Sequence, residues 1–297
     1  MLPLGILLLV LLGLLYPWRQ RSYTLSPARV INLAGSLRML SQRTMKSWLQ
    51  QGAGIMPEQA AAQLAESISV FDQRLLLLKA WAKTPASQYL VSRIDHAWVR
   101  FRNQMIQPPQ RERAQALMRE CNDLLYVCDE LVEAVVRQNG KREASLINVA
   151  GRQRMLLQRI AKNCAAMSWG LCNDRTRHEL LDAVDLFEAS QQALLNSRFN
   201  TTVVNTALQQ ASQQWTQVRP GCQLHCSGNC KPAGVATMSD SLLQQMDRIT
   251  AMYQQIMDGG NGDISEEFLK ANLPGTGHDT PATASRSQRN IHLQPLP

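Results

Sequence analysis

The chain has 297 residues, 31 Lys and Arg against 23 Asp and Glu, a formal charge of +8, 45% hydrophobic residues and only 5% aromatics. That length holds two small domains plus terminal segments. Few aromatics and few β-branched runs argue against a sheet protein and predict an all-α fold. The basic residues are scattered with no aromatic-plus-basic strip, which excludes a nucleic-acid interface.

Leu2 to Tyr16 is an almost unbroken apolar run followed by Trp18, Arg19 and Arg21. It is short for a spanning helix of roughly 20 residues and close to the core of a signal peptide. No A-x-A-like cleavage site follows it and no Lys or Arg precedes it. Residues 1–22 therefore read as an N-terminal membrane anchor or a cleaved signal, and both alternatives stay open. Ser26-Pro27 is a cap followed by proline at the first helical position, which starts a first helix ending at Gly52-Ala53-Gly54. Pro57 opens a second helix to about Lys83, and Thr84-Pro85 opens a third to about Gln107, stopped by Pro108-Pro109. A fourth, from about Gln110 to Gln138, carries Leu117, Leu124, Val127, Leu131 and Val135 at helical spacing. These four form a first bundle, residues 27–139.

Asn139-Gly140 is either a helix C-cap or a tolerated glycine, and the helix-forming KRE segment after it favours one long helix continuing to about Leu171. Asn173-Asp174 caps a sixth helix to about Ser197. Asn200-Thr201 caps a seventh ending before Pro220-Gly221, and an eighth runs from Ala236 to Met257. Residues 140–258 are thus a second four-helix bundle, and residues 259–297, rich in Pro, Gly, Ser and Thr, read as a disordered tail. DGGNGDISEEF resembles a calcium loop, but with Gly262 at loop position six, Phe268 stands where a bidentate glutamate is required, so no calcium site is expected.

Two stretches say nearly the same thing. Val30–Lys46 reads VINLAGSLRMLSQRTMK and Leu146–Lys162 reads LINVAGRQRMLLQRIAK, 116 residues apart. Both keep one glycine, Gly35 and Gly151, at a helical position where glycine costs about 0.5–1 kcal/mol against alanine. Arg38 and Arg154 follow three residues later, on nearly the same face. A lone arginine on a bundle helix is ordinarily solvated or salt-bridged. The duplication suggests a second use, since a guanidinium beside a side-chain-free notch suits a small planar oxyanion such as nitrate, nitrite or a carboxylate.

The first copy, INLAGSLRM, resembles the P-box of NarX/NarQ-type nitrate and nitrite sensors, and the second, NVAGRQRMLLQRIAK, resembles the start of a PilJ-type chemoreceptor domain. The resemblance covers about fifteen residues in each copy and implies an extracytoplasmic four-helix bundle whose first helix carries the box. It further implies ligand binding through Gly35 and Arg38, and less closely through Gly151 and Arg154, where the first helices of two bundles meet. Arg152 and Gln153 depart from the nitrate-sensor form, whereas Ser36 and Leu37 match it.

Seven cysteines are present. Cys222, Cys226 and Cys230 lie in one loop, where a disulfide is expected and a metal site including His225 is the alternative, at a spacing that matches no usual zinc pattern. Cys121 and Cys128 are about 10.5 Å apart in rise along one helix, too far to bridge, and read as buried small hydrophobes. Met39, Met45, Met155 and Met167 read as core residues rather than metal ligands. No phosphate loop, nucleophile elbow or haem-attachment motif occurs, so neither an enzyme nor a cofactor is expected. The chain as read also carries no kinase and no methyl-accepting helices. The expectation is a membrane-anchored, periplasm-facing protein, soluble in the periplasm if the signal is cleaved, that binds a small oxyanion and relays to an unidentified signalling partner. A second copy of the chain is a further candidate partner. Its rivals are a helical interaction scaffold without a small ligand and a redox or metal-loop protein acting through residues 222–230.

Overall fold

The computed structural model describes residues 25–224 and 232–260. The N-terminal apolar segment, the loop holding Cys226 and Cys230, the side chain of Cys222 and the tail beyond residue 260 lie outside what is described. Among the described residues the fold is all-α, with helices α1 Pro27–Gly52, α2 Pro57–Trp81, α3 Pro85–Met105, α4 Arg111–Asn139, α5 Arg142–Ser168, α6 Asp174–Leu195, α7 Thr202–Leu224 and α8 Pro232–Met257.

The helix starts follow local chemistry. Ser26 is extended and its hydroxyl accepts from the Arg29 amide, with Pro27 opening α1. Thr84 and Ser87 form a reciprocal capping box ahead of α3. Asn173 Oδ1 accepts from the Thr176 amide at 2.9 Å to start α6. Two expected boundaries are corrected. The long helix through Asn139-Gly140 does not form: Gly140 takes φ +69° and caps α4, a left-handed conformation that ends a helix. Conversely, Pro220 does not end α7, which runs on to Leu224. A proline there forfeits one backbone hydrogen bond in the last turns, which limits its disruption.

The first four helices and the last four each form a bundle, and the bundles lie side by side through their box helices. The contact between α1 and α5 is the most extensive in the molecule; α2 and α4 flank α1, while α6 and α8 flank α5. The consequence is burial all round. Every residue from Ala34 to Gln50 except Arg43 is buried, as is every residue from Ala150 to Met167 except Arg152 and Arg159. Helices so enclosed are ordinarily apolar throughout. These two carry Arg, Lys, Gln and Asn inside the molecule, so the centre of the fold is polar.

The outer layers hold an apolar core in which the duplication recurs. Phe71 stacks on Trp98 at 3.8 Å between ring centroids, and Phe187 meets Trp215 at 4.4 Å. Trp98 Nε1 donates to Asp72 at 2.6 Å and Trp215 Nε1 to Glu188 at 3.0 Å, so each indole buries its ring with its N–H satisfied. Met39, Met45, Met155 and Met167 pack in the core, as expected. Cys121 and Cys128 are buried as expected; burial pushes the Cys121 thiol up to about 11 and raises that of Cys128 as well.

Candidate functional site

The two boxes face each other where α1 meets α5. A methyl group built on Gly35 would lie 3.4 Å from Arg38 Nη2 and 3.7 Å from Arg154 Nη2; one built on Gly151 would lie 3.4 Å from both. Each glycine therefore borders its own arginine and the arginine of the other copy, and the two guanidiniums converge on one place. The notch left by the missing side chains is where both are seated.

Both guanidiniums are fully buried and each has a carboxylate from the last helix of its own bundle. Arg38 Nη1 donates to Asp129 Oδ1 on α4 at 2.5 Å, and Arg154 Nη1 donates to Asp247 Oδ1 on α8 at 2.8 Å. The remaining bonds cross between bundles: Arg38 Nη2 donates to the Asn148 carbonyl at 3.3 Å and Arg154 Nη2 to Asn32 Oδ1 at 2.8 Å. Asn32 in turn donates to Gln254 Oε1, and Asn148 to Glu133 Oε1, both at 2.8 Å. The Nε atoms of Arg38 and Arg154 are buried without a hydrogen-bond partner. Burial lowers the Arg38 pKa; Asp129 opposes that shift, and Arg152 and Arg154 add to it.

The halves differ in access. The Asp129 side chain is 39% exposed and borders a surface hollow of about 420 Å³ between α3 and α4, whereas that of Asp247 is 10% exposed. A third arginine, Arg74 of α2, is also buried; burial and the field of Arg154 push its pKa down to about 10, with Asp247 acting the other way.

One level away along the box helices lies a second polar layer. Lys46 Nζ donates to Asp240 Oδ1 on α8 at 2.7 Å, across the bundles, and Gln63 donates to Asp240 Oδ2 at 3.0 Å. At the repeat-related place Lys162 donates to Asn122 on α4 at 3.2 Å and lies 3.8 Å from Glu179, to which Asn122 donates. Acid and amide have exchanged places between the copies, Gln63 with Asp240 in one and Glu179 with Asn122 in the other, so each buried lysine keeps one carboxylate nearby. Burial pushes Asp240 up, but Lys46, Gln63 and Arg43 more than offset it and hold the carboxyl below its ordinary range.

The structure thus brings together all four residues singled out in the boxes, Gly35, Arg38, Gly151 and Arg154. Asp129, Asp247 and Arg74 were not apparent from the box motif. The aspartates do recur, but 118 residues apart rather than 116, so laying the boxes in register misses them. Among the described residues no group of His, Cys, Asp and Glu suits a metal ion, and no helix is long and apolar enough to cross a membrane.

No curated protein and no solved structure matches the chain. The family model for PilJ, the type IV pili methyl-accepting chemotaxis transducer N-terminal region, matches it twice, over residues 22–124 and 136–224. Those segments cover well over half of the sequence and each contains one box. The chain therefore belongs to the PilJ family, as a tandem of two sensory domains of the chemotaxis-transducer type.

Proposed function

We propose that this protein binds one small planar oxyanion, nitrate or nitrite, between its two box helices and passes the occupancy of that site to a signalling partner. The observation that carries the reading is the convergence of the Arg38 and Arg154 guanidiniums on Gly35 and Gly151, with an unpartnered, buried Nε–H on each. Guanidinium edges offer paired donors to a planar anion, and burial strengthens those bonds by excluding water. Asp129 and Asp247 act as resident counter-ions that hold the arginines in place while the site is empty. An arriving anion takes up the Nε–H donors and shifts the balance of the Arg–Asp pairs. Because the same guanidiniums also bond across the bundles, Arg38 to the Asn148 carbonyl and Arg154 to Asn32, a shift in their pairing biases how the two bundles sit against each other, a packed arrangement suited to discrete states. The apolar run Leu2–Tyr16 and the family assignment support a membrane-held, periplasm-facing placement.

The test is thermal unfolding of the purified chain in sodium nitrate, nitrite and chloride at equal ionic strength. A specific anion at 100 times its Kd adds about 2.7 kcal/mol. For a protein of this size that is roughly 5–10 °C in Tm. An equal response to chloride, or an undiminished nitrate shift in the Arg38→Ala, Arg154→Ala double variant, contradicts the reading.

The scaffold reading has one observation in its favour: each guanidinium already meets a carboxylate and an amide oxygen, as a purely structural lock would. In that case Gly35→Leu disrupts packing of the bundles and no anion raises Tm specifically.

A further inference from the structure

Five cations are buried among the described residues: Arg38, Lys46, Arg74, Arg154 and Lys162. Four of them lie within 4 Å of a carboxylate, those of Asp129, Asp240, Asp247 and Glu179 respectively. Arg74 makes no ion pair with any described residue, and its Nε is buried without a hydrogen-bond partner. Burying a charge without a counter-ion is among the costliest arrangements a fold can hold, and a helix offers many exposed positions where an arginine costs nothing. Arg74 instead shares the inward face of α2 with Ser67, Val70, Phe71 and Leu78.

Two side-chain contacts near the start of α2 link it to α8: Thr237 Oγ1 donates to Met56 Sδ at 3.9 Å and Gln63 donates to Asp240 at 3.0 Å, so the two helices run in the same direction, joined through side chains rather than by close backbone packing. Side chains on a helix lean towards its N-terminus. Further along the pair, that lean carries the Arg74 guanidinium back towards the level of Asp247, the counter-ion of Arg154. The electrostatic influence of both on Arg74 agrees with this placement. No repeat-related arginine exists, since Ser190 stands at the matching place in α6. The polar centre is therefore unsymmetrical: with the neighbouring Arg43–Glu66 and Arg152–Glu133 ion pairs each neutral in sum, three guanidiniums, Arg38, Arg74 and Arg154, stand against two carboxylates, Asp129 and Asp247.

We propose that Arg74 is an anion-binding residue: it supplies the third guanidinium of the site, biases the anion towards the Arg154 side, and sets the ligand as one monovalent oxyanion. This rests on the oxyanion reading above and adds the residue that breaks the symmetry of the duplication. The charge in excess at the centre is one, which a single nitrate or nitrite neutralises and a divalent sulfate overshoots.

The experiment compares wild type, Arg74→Met and Arg74→Lys by thermal unfolding across titrations of sodium nitrate, nitrite and sulfate. Arg74→Met keeps the apolar stem and removes the unneutralised charge, so the anion-free protein should melt higher than wild type, while nitrate affinity falls at least tenfold. Arg74→Lys keeps the charge without the fork, so its anion-free Tm should stay near wild type and its nitrate affinity should lie between the other two. A purely structural Arg74 gives the opposite pattern, with a lower anion-free Tm in Arg74→Met and an unchanged affinity, and that result overturns the proposal while leaving the box arginines as the site. A wild-type response to sulfate but not to nitrate overturns the charge argument. Should wild type show no anion-specific shift at all, the oxyanion reading itself fails, and the role of Arg74 with it.

Discussion

The two box arginines are repeat-related, yet the structure assigns them unequal energetic weight. In Arg154→Ala, Asp247 is left as a carboxylate with a 10% exposed side chain and Asn32 Oδ1 loses its donor. Removing one partner of a buried pair costs about 3–5 kcal/mol, because the other charge stays behind without its hydrogen-bonded partner, and Arg74, which makes no ion pair with Asp247, offsets that only through its field. At roughly 2–4 °C per kcal/mol for a protein of this size, the variant should melt about 6–20 °C below wild type. In Arg38→Ala the stranded carboxylate belongs to Asp129, which is 39% exposed and turns to water, and the acceptor left behind is a backbone carbonyl. That variant should therefore lose no more than about half as much. Urea unfolding followed by helical circular dichroism gives both numbers directly. A third variant isolates the cause: Asp247→Asn placed on Arg154→Ala removes the stranded charge and should recover part of the loss. Arg38→Ala costing as much as Arg154→Ala, or no recovery in the double variant, would refute the argument from unequal burial.

Three further outcomes follow from other parts of the fold. A methyl group at Gly52 would fall 2.3 Å from the Trp169 ring, which also packs edge-on against Trp48, so Gly52→Ala should lose about 1–3 kcal/mol despite the better helix propensity of alanine, read by the same unfolding assay. The Cys121 thiol, pushed up to about 11 by burial, and that of Cys128, raised further, should resist iodoacetamide at pH 8 in the folded protein and label only after denaturation, whereas the exposed Cys172 labels in both states; peptide mass mapping reads this out. Asp240 is held below its ordinary pKa in the folded state, so it contributes stability above the unfolded value of about 4 and loses it as pH falls through the lower folded value. Wild-type Tm should drop over that acid range, and Asp240→Asn should start lower at neutral pH and drop less.

How much of this was legible in the sequence depends on what each residue repeats. The helices announced themselves through Ser26-Pro27, Thr84-Pro85 and Asn173, whose caps form as their side chains dictate. The box was legible because it recurs in register, and the structure places its glycines and arginines together. At Asn139-Gly140 the helix propensity of the following KRE segment favours continuation, but the left-handed conformation that glycine alone adopts readily ends the helix. Pro220 misled in the other sense, since a proline near a helix end removes little. The Phe71-Asp72 and Trp98 core motif and its mate, Phe187-Glu188 and Trp215, are three residues each spread over two helices, a pattern that only the meeting of the rings makes distinct. The counter-ions were harder: Asp129 and Asp247 have drifted two residues out of the box register through longer connections in the second bundle. Arg74 has no mate at all, so only its burial reveals it. The side-by-side packing through α1 and α5 is a property of paired surfaces, and periodicity within either helix does not determine it.

The measurement that bears most directly on the central claim is the stoichiometry of nitrate binding to the whole chain by isothermal titration calorimetry. Two boxes meeting at one shared centre predict one nitrate per chain, with binding lost in the Arg38→Ala, Arg154→Ala double variant. Two independent sites per chain, or no nitrate or nitrite binding by a folded protein, would contradict it.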